Sequence, residues 1–338
     1  MLLQENYPLR KLNTFGMNAS ARWFTEANSM EDLHELFGDS RTEQRHAMIL
    51  GGGSNILFTK NYDGLVIKNN LLGIEKIRED DQHYYIKSGA GEVWHAFVLH
   101  CIANNYAGIE NLSLIPGSVG AGPMQNIGAY GVELKDVFHE LEAFHTGEKT
   151  IRKFSHADCR FGYRESVFKR ELKDQYVITS VTFRLSKTPK LNTSYGAIEK
   201  ELEQMGVTEP GIASVSRAVI HIRSSKLPDP AQIGNAGSFF KNPVIGAAEH
   251  ERLKKEFPEI VSYKNSDTDF KLAAGWLIEQ CGWKGFRQGD AGVHKDQALV
   301  LVNYGNAKGE EIYALSQRVL DSVKAKFGVL LEREVNIV

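Results

Sequence analysis

Cysteine is scarce: Cys101, Cys159 and Cys281 in 338 residues are too few and too far apart for a disulfide framework or a Cys-x-x-Cys metal knuckle, and they suit a reducing cytosol. Cys101 and Cys281 fall in apolar helical patterns, where each is expected to act as a small buried hydrophobe rather than a nucleophile. Proline is also sparse, with nine in the chain, and 42% hydrophobic with 24% charged residues leaves no room for a disordered or fibrous reading. Net charge is nearly absent at -2, which argues against a nucleic-acid surface. Long apolar runs are missing. The stretch 298–302 is far too short to span a bilayer, and residues 1–10, with Glu5 and Arg10, lack the apolar core of a signal peptide. His294 has no cysteine or acidic neighbour at metal spacing, so it is expected to be structural and no metal is expected. Neither nucleic acid nor membrane is expected as a partner.

What is present is a chain of ordinary globular composition, long enough for two or three domains because a single core stops growing beyond ~250–300 residues. Residues 29–37 read as a helix capped by Ser29, with Asp32 three positions on and Leu33, Leu36 and Phe37 as its apolar stripe. Residues 47–50 and 64–67 read as short strands around Gly51-Gly52-Gly53. Residues 92–104 carry Val93, Phe97, Cys101 and Ile102 at helical spacing. Residues 109–132 are rich in glycine and read as ordered loop, of a length that usually holds something. A strand is expected over 176–185, linkers or active loops at 187–196 and 224–237, and the main domain boundary near Lys226. Ile312, Leu315, Val319, Val323 and Phe327 predict a helix over 309–327, followed by a strand over 329–337.

Two glycine clusters carry the chemistry. Gly51, Gly52, Gly53, Ser54 and Asn55 follow an apolar strand, where glycines let backbone N–H groups approach a phosphate. No Gly-Lys-Ser/Thr follows and Ile56 stands where a third Rossmann glycine belongs, so taken alone this is equally a tight interstrand turn. The second cluster runs through Pro116, Gly117, Ser118, Gly120 and Ala121 and continues in Asn126, Gly128 and Ala129. Two such loops suit a large dinucleotide clamped from both sides, on a fold other than the Rossmann one.

Asn13-Thr14-Phe15-Gly16, the Gly51 loop, residues 115–131, Phe161-Gly162-Tyr163-Arg164-Glu165-Ser166, Lys226-Leu227-Pro228-Asp229-Pro230 and the run GNAGSFFKNP from Gly234 to Pro243 occur in one order along nearly the whole chain. Together they strongly resemble the UDP-N-acetylenolpyruvoylglucosamine reductases of bacterial peptidoglycan synthesis. The resemblance implies an α+β, FAD-binding fold of the vanillyl-alcohol-oxidase (p-cresol methylhydroxylase) type. Residues 1–70 and 71–226 would be two FAD-binding subdomains and 227–338 an α+β substrate-binding domain, whose last strand returns to the FAD domains. It also implies non-covalently bound FAD, NADPH as reductant, the enolpyruvyl ether of UDP-N-acetylglucosamine as substrate, a cytoplasmic location and a monomer.

In that family a hydride passes from NADPH to FAD and on to the terminal carbon of the enolpyruvyl ether, and a proton is added at the neighbouring carbon. Hydride addition β to a carboxylate builds enolate-like charge, which calls for cationic groups on the carboxylate and a positioned proton donor. Arg164 matches the family's catalytic arginine, and its planar fork suits a carboxylate. Ser238 matches the serine that supplies the proton; read by itself, a serine after glycine is a turn or cap. The third match is Glu334. Strand alternation puts Glu332, Glu334 and Asn336 on one face and cannot choose between the glutamates, but the family pattern Leu-Glu-x-Glu-Val points to Glu334. Asn336 stands where an arginine is usual. Tyr195 lies on the loop that in one subclass swings over the uridine diphosphate, and Lys226, Asn242 and Gln297 match positions at or near the diphosphate, where Arg223 is expected to assist. Taken one at a time, these read better as ordinary exposed side chains.

Two other classes compete. An oxygen-using flavin oxidase often tethers its flavin through a histidine, and neither 51–60 nor 115–131 contains one. A non-catalytic nucleotide-sugar binder would be expected to lose Arg164, Ser238 or Glu334, and all three are present.

Overall fold

A computed structural model of the chain describes residues 2–39, 42, 46–194 and 197–338. The chain divides into two compact units. The first comprises residues 1–7, 21–53 and 63–225, and the second residues 8–20, 54–62 and 226–338.

In the first unit, the helix Met30–Gly38 begins where the sequence predicts, because Ser29 Oγ accepts from Asp32 N–H at 3.1 Å while Asp32 Oδ2 accepts from Ser29 N–H at 3.0 Å. Leu33, Leu36 and Phe37 are buried. A four-stranded sheet takes the order Gln4–Pro8, Ser20–Ala27, Tyr62–Asn69, Ala47–Leu50, and its last two strands run parallel with Leu50 opposite Lys68. A five-stranded antiparallel sheet takes the order Ile151–Ser155, Phe138–His145, Tyr176–Ser186, His83–Gly89, Ile74–Glu79. Its middle strand, Tyr176–Ser186, is buried on both faces over most of its length, as a central strand covered on both sides must be. The helix Trp94–Ala103 packs into the core of that sheet through Trp94, Phe97, Val98 and Cys101. Here the predicted stripe is wrong at one end: Val93 is the residue before the helix and is 60% exposed, so Trp94 takes the core position. The helices Ile198–Gln204 and Ile212–Lys226 form a separate small core through Ile198, Leu202, Val215, Val219 and Ile222.

In the second unit, a four-stranded antiparallel sheet takes the order Gly234–Asn235, Leu301–Asn303, Ala291–Val293, Arg287–Gln288. A three-stranded one takes the order Val244–Gly246, Asp269–Leu272, Ser262–Lys264. The helix Gly309–Phe327 matches the predicted span and buries the predicted stripe from Ile312 to Phe327. The predicted strand over 329–337 shrinks to a bridge at Arg333 and the two residues Asn336–Ile337, which pair in parallel with Ile56–Leu57. Its alternation fails too, since Val335 is buried while Ile337 is 36% exposed. Cys281 follows the helix Ala274–Gln280 and is partly exposed rather than buried. Among the described residues no helix is long and apolar enough to cross a membrane.

Candidate active site

The two glycine clusters meet in the first unit. A Cβ on Gly51 would strike Ser118 Oγ, and one on Gly52 would lie 2.6 Å from the backbone Cα of Gly117. Gly117 itself is at φ +117°, outside the range of ordinary side chains. This cradle brings two glycine backbones and the Ser118 hydroxyl close together, which fits the pyrophosphate of a dinucleotide such as FAD. The sequence reading missed a cation there: Lys68 Nζ donates to Gly51 O at 2.5 Å. Burial pushes the Lys68 ammonium below its ordinary range, opposed by Glu26. Its only sequence signal is a lysine inside an apolar strand.

Ser54 and Asn55 belong to the second unit. Asn55 is occupied there: its Nδ2 donates to Glu334 O at 3.3 Å, and its carbonyl accepts from Asn336 N–H at 3.1 Å and Asn336 Nδ2 at 2.9 Å. Asn336, in the place of the usual arginine, thus holds the terminal strand to the Asn55 backbone.

The continuation of the second glycine cluster makes a two-residue hairpin. Gly128 pairs with Glu133 and Ala129 with Val132, around Tyr130 at φ +50° and Gly131 at φ +79°. The Asn126 side chain is buried, and its Nδ2 donates to Glu133 Oε2 and Gly162 O, each at 3.0 Å. Its Oδ1 accepts from Lys135 N–H at 3.0 Å, so what Asn126 has left for a cofactor is backbone.

Arg164 is at the tip of a turn in the first unit and donates to Gly128 O at 3.0 Å. Arg223, on the helix Ile212–Lys226, has a buried Nε without a hydrogen-bond partner. Burial lowers the Arg223 pKa; Tyr130 opposes this and Arg164 adds to it. A buried guanidinium nitrogen with nothing to donate to suits an anionic ligand group. His95 lies in the same surroundings, with Nδ1 accepting from Leu114 N–H at 2.9 Å. Its pKa is lowered by burial and by Arg223.

In the second unit three of the sequence motifs converge on one buried residue, Asn235. It accepts from Gly237 N–H through Oδ1 at 2.9 Å, and its Nδ2 donates to Pro228 O at 3.1 Å. Its backbone pairs with Thr14: Thr14 Oγ1 donates to Asn235 O at 2.6 Å, and Asn235 N–H to Thr14 O at 3.1 Å. The Asn13-Thr14-Phe15-Gly16 motif is therefore a brace. Beyond Asn235, Gly237 turns at φ +69°, and Ser238, exposed, follows it. Phe239 and Lys241 pair with the 332–334 segment through Glu334 N–H to Phe239 O at 2.8 Å and Lys241 N–H to Glu332 O at 2.9 Å. That pairing runs the Glu334 backbone beside Phe239, the residue after Ser238, and gives the two glutamates different surroundings. Glu332 pairs with Lys241 Nζ at 3.1 Å and is exposed, whereas Glu334 is half-buried beside the serine segment.

Asn242 and Gln297 come together at the start of the helix Ala274–Gln280. Asn242 Oδ1 accepts from Ala274 N–H at 2.9 Å, and Gln297 Oε1 would be 3.2 Å from a Cβ on Gly275. Lys226 is exposed, and Tyr195 lies outside the described residues. His294 is buried, with its pKa lowered first by burial; it accepts from Asp296 N–H at 3.4 Å.

The chain is also similar to known proteins. Residues 229–338 match the model for the "UDP-N-acetylenolpyruvoylglucosamine reductase, C-terminal domain" and residues 21–153 that for an "FAD binding domain". The chain is 52% identical over 339 residues to the UDP-N-acetylenolpyruvoylglucosamine reductase of Flavobacterium johnsoniae, covering 100% of both chains. It is 51% identical to that of Amoebophilus asiaticus over 100% of both, and 48% identical to that of Pseudomonas syringae over 99% of this chain and 98% of the other. In fold it is similar to the UDP-N-acetylenolpyruvylglucosamine reductase of Thermus caldophilus, with a TM-score of 0.69 at 22% identity over 99% of each chain. It is also similar in fold to p-cresol methylhydroxylase, with a TM-score of 0.50 at 12% identity over 96% of this chain and 83% of the other.

Proposed function

Because the chain belongs to the UDP-N-acetylenolpyruvoylglucosamine reductase family, we propose that it reduces the enolpyruvyl ether of UDP-N-acetylglucosamine to UDP-N-acetylmuramate, a step in making peptidoglycan precursors. The end-to-end likeness to relatives of that name carries this reading. The protein is an FAD-dependent oxidoreductase with the α+β fold of the p-cresol methylhydroxylase type and NADPH as reductant. Bound FAD supplies the hydride relay from NADPH to the double bond. Gly51, Gly52, Gly53, Pro116, Gly117, Ser118, Gly120 and Ala121 would hold it, with Ser54 and the backbones of Asn55, Gly128 and Ala129 as further candidates, while the Asn126 side chain is spent on the protein itself. Residues 1–70 and 71–226 are assigned to FAD, and 227–338 to the substrate.

The chain's own residues supply charge and a proton. Hydride arriving at the terminal carbon pushes an electron pair toward the carboxylate, and the Arg164 fork stabilises it there. Ser238 Oγ–H gives its proton to the carbon next to the carboxylate. The serine oxygen then regains a proton from water, and Glu334 is assigned to that relay. Arg223, Lys226, Asn242, Gln297 and Tyr195 are assigned to the nucleotide diphosphate. The buried, unpartnered Nε of Arg223 supports its place in that set. We assign the protein to the cytoplasm and expect a monomer.

The reading is tested anaerobically. NADPH should bleach the visible flavin band, and only the enolpyruvyl UDP-sugar should restore it; a colourless protein, or recovery with unrelated acceptors alone, would sink the assignment. In Ser238→Ala, bleaching should keep its rate while recovery slows by roughly 10²–10⁴-fold, the usual worth of a proton donor. Unchanged recovery would remove Ser238 from its role.

A further inference from the structure

The turn that carries Arg164 is gripped by the stretch following the second glycine cluster. Gly162 and Glu165 close it with reciprocal backbone bonds of 3.0 and 3.3 Å, leaving Tyr163 and Arg164 at the tip. Arg164 sits at φ +56°, a left-handed conformation that an arginine keeps only where its surroundings enforce it. Three bonds from residues 124–128 meet this turn. Met124 O accepts from Ser166 Oγ at 2.7 Å, Asn126 Nδ2 donates to Gly162 O at 3.0 Å, and Gly128 O accepts from the Arg164 guanidinium at 3.0 Å.

Asn126 differs from the other two in acting through its side chain, which is fully buried and has its oxygen and both amide hydrogens engaged. Through Glu133 it is fixed to the 128–133 hairpin, and through Lys135 N–H to the turn that follows it. Its remaining bond reaches the base of the Arg164 turn.

We propose that Asn126 is a positioning residue for Arg164: its amide fixes the base of the 162–165 turn to the hairpin whose Gly128 carbonyl holds the guanidinium. Both ends of the turn are then referred to one rigid element, and the guanidinium is presented in a single orientation. This rests on Arg164 acting on the substrate carboxylate, as proposed above. Asn126 therefore governs the substrate half of the reaction and leaves flavin loading alone.

Asn126→Asp converts this to a pH-dependent contact. An aspartic acid facing the two acceptors Glu133 Oε2 and Gly162 O keeps its proton at pH 5.5, and so keeps a donor; at pH 8 it ionises and repels both. In anaerobic stopped flow at pH 8 the variant should retain flavin and bleach with NADPH at the wild-type rate. Its recovery with the enolpyruvyl UDP-sugar should slow roughly 10- to 100-fold, the scale of a misplaced catalytic group, and should return toward wild type at pH 5.5. In an Arg164→Met background the same substitution should add less than about twofold, because residues acting as one unit are not additive.

Adding Glu133→Gln to Asn126→Asp relieves the clash with residue 133 but not the one with Gly162, so recovery should stay slow. Normal recovery in that double variant would overturn the proposal, as would an unaltered rate in Asn126→Asp at pH 8. Equal loss of both half-reactions, or failure to bind flavin at either pH, would make Asn126 a cofactor or folding residue and would also overturn it. If Arg164→Met alone leaves recovery untouched, the Arg164 assignment itself fails, and that failure is recognisable without any Asn126 variant.

Discussion

A single side chain is enough to test the cofactor cradle. A side chain at Gly52 would press on the Gly117 backbone, which cannot step aside as a flexible side chain would. Gly52→Val should therefore yield nearly colourless protein, with FAD affinity by fluorescence titration weakened at least about tenfold. Gly246→Ala, where a Cβ meets nothing within 4 Å, should bind as wild type. Retention of full affinity by Gly52→Val would show that these loops do not hold the flavin. At this scale the motifs were legible but their division of labour was not. Glycine, serine and asparagine appear alike in both clusters, yet Asn55 and Asn126 spend their side chains or carbonyls on the protein itself. Lys68 was invisible, because nothing local announces that an apolar strand will lay its lysine under a neighbouring loop.

Among the elements, the helix Trp94–Ala103 has a titratable link to the glycine-rich segment through His95 and Leu114. His95, His139 and His294 all have pKa values lowered first by burial. A histidine held below its ordinary value of about 6.5 leaves the unfolded chain with more bound protons as the medium turns acid. The stability it contributes is thus intact above that value and lost as pH falls through it. The melting temperature should drop between pH 7.5 and 5.5, and His95→Gln, whose amide oxygen can still accept from Leu114 N–H, should flatten the drop. An identical pH slope in the variant would exclude His95 as a contributor. Element prediction worked where periodicity and caps agree, as in Met30–Gly38 and Gly309–Phe327. It failed at 329–337, where alternation suggested a long strand but pairing exists only at Arg333 and Asn336–Ile337.

For the whole molecule, flavin should act as a stabiliser, since a ligand that binds only the folded state adds about 2.7 kcal/mol at a hundredfold excess over its Kd. For a chain of this size that corresponds to a melting temperature roughly 4 °C higher for FAD-saturated than for flavin-stripped protein. No rise would mean that the folded protein does not take up FAD. The sequence by itself determined the family, the chemistry and the identity of Arg164, Ser238 and Glu334 as candidates, because these depend on residue types in a fixed order. It could not reveal that residues 8–20 and 54–62 join the second unit, that Asn13 to Gly16 brace the serine segment, or that Glu332 pairs with Lys241 while Glu334 is half-buried. Those outcomes rest on hydrogen bonds between segments far apart along the chain, such as Asn55 with Glu334 and Thr14 with Asn235, and long-range pairing leaves no trace in local pattern.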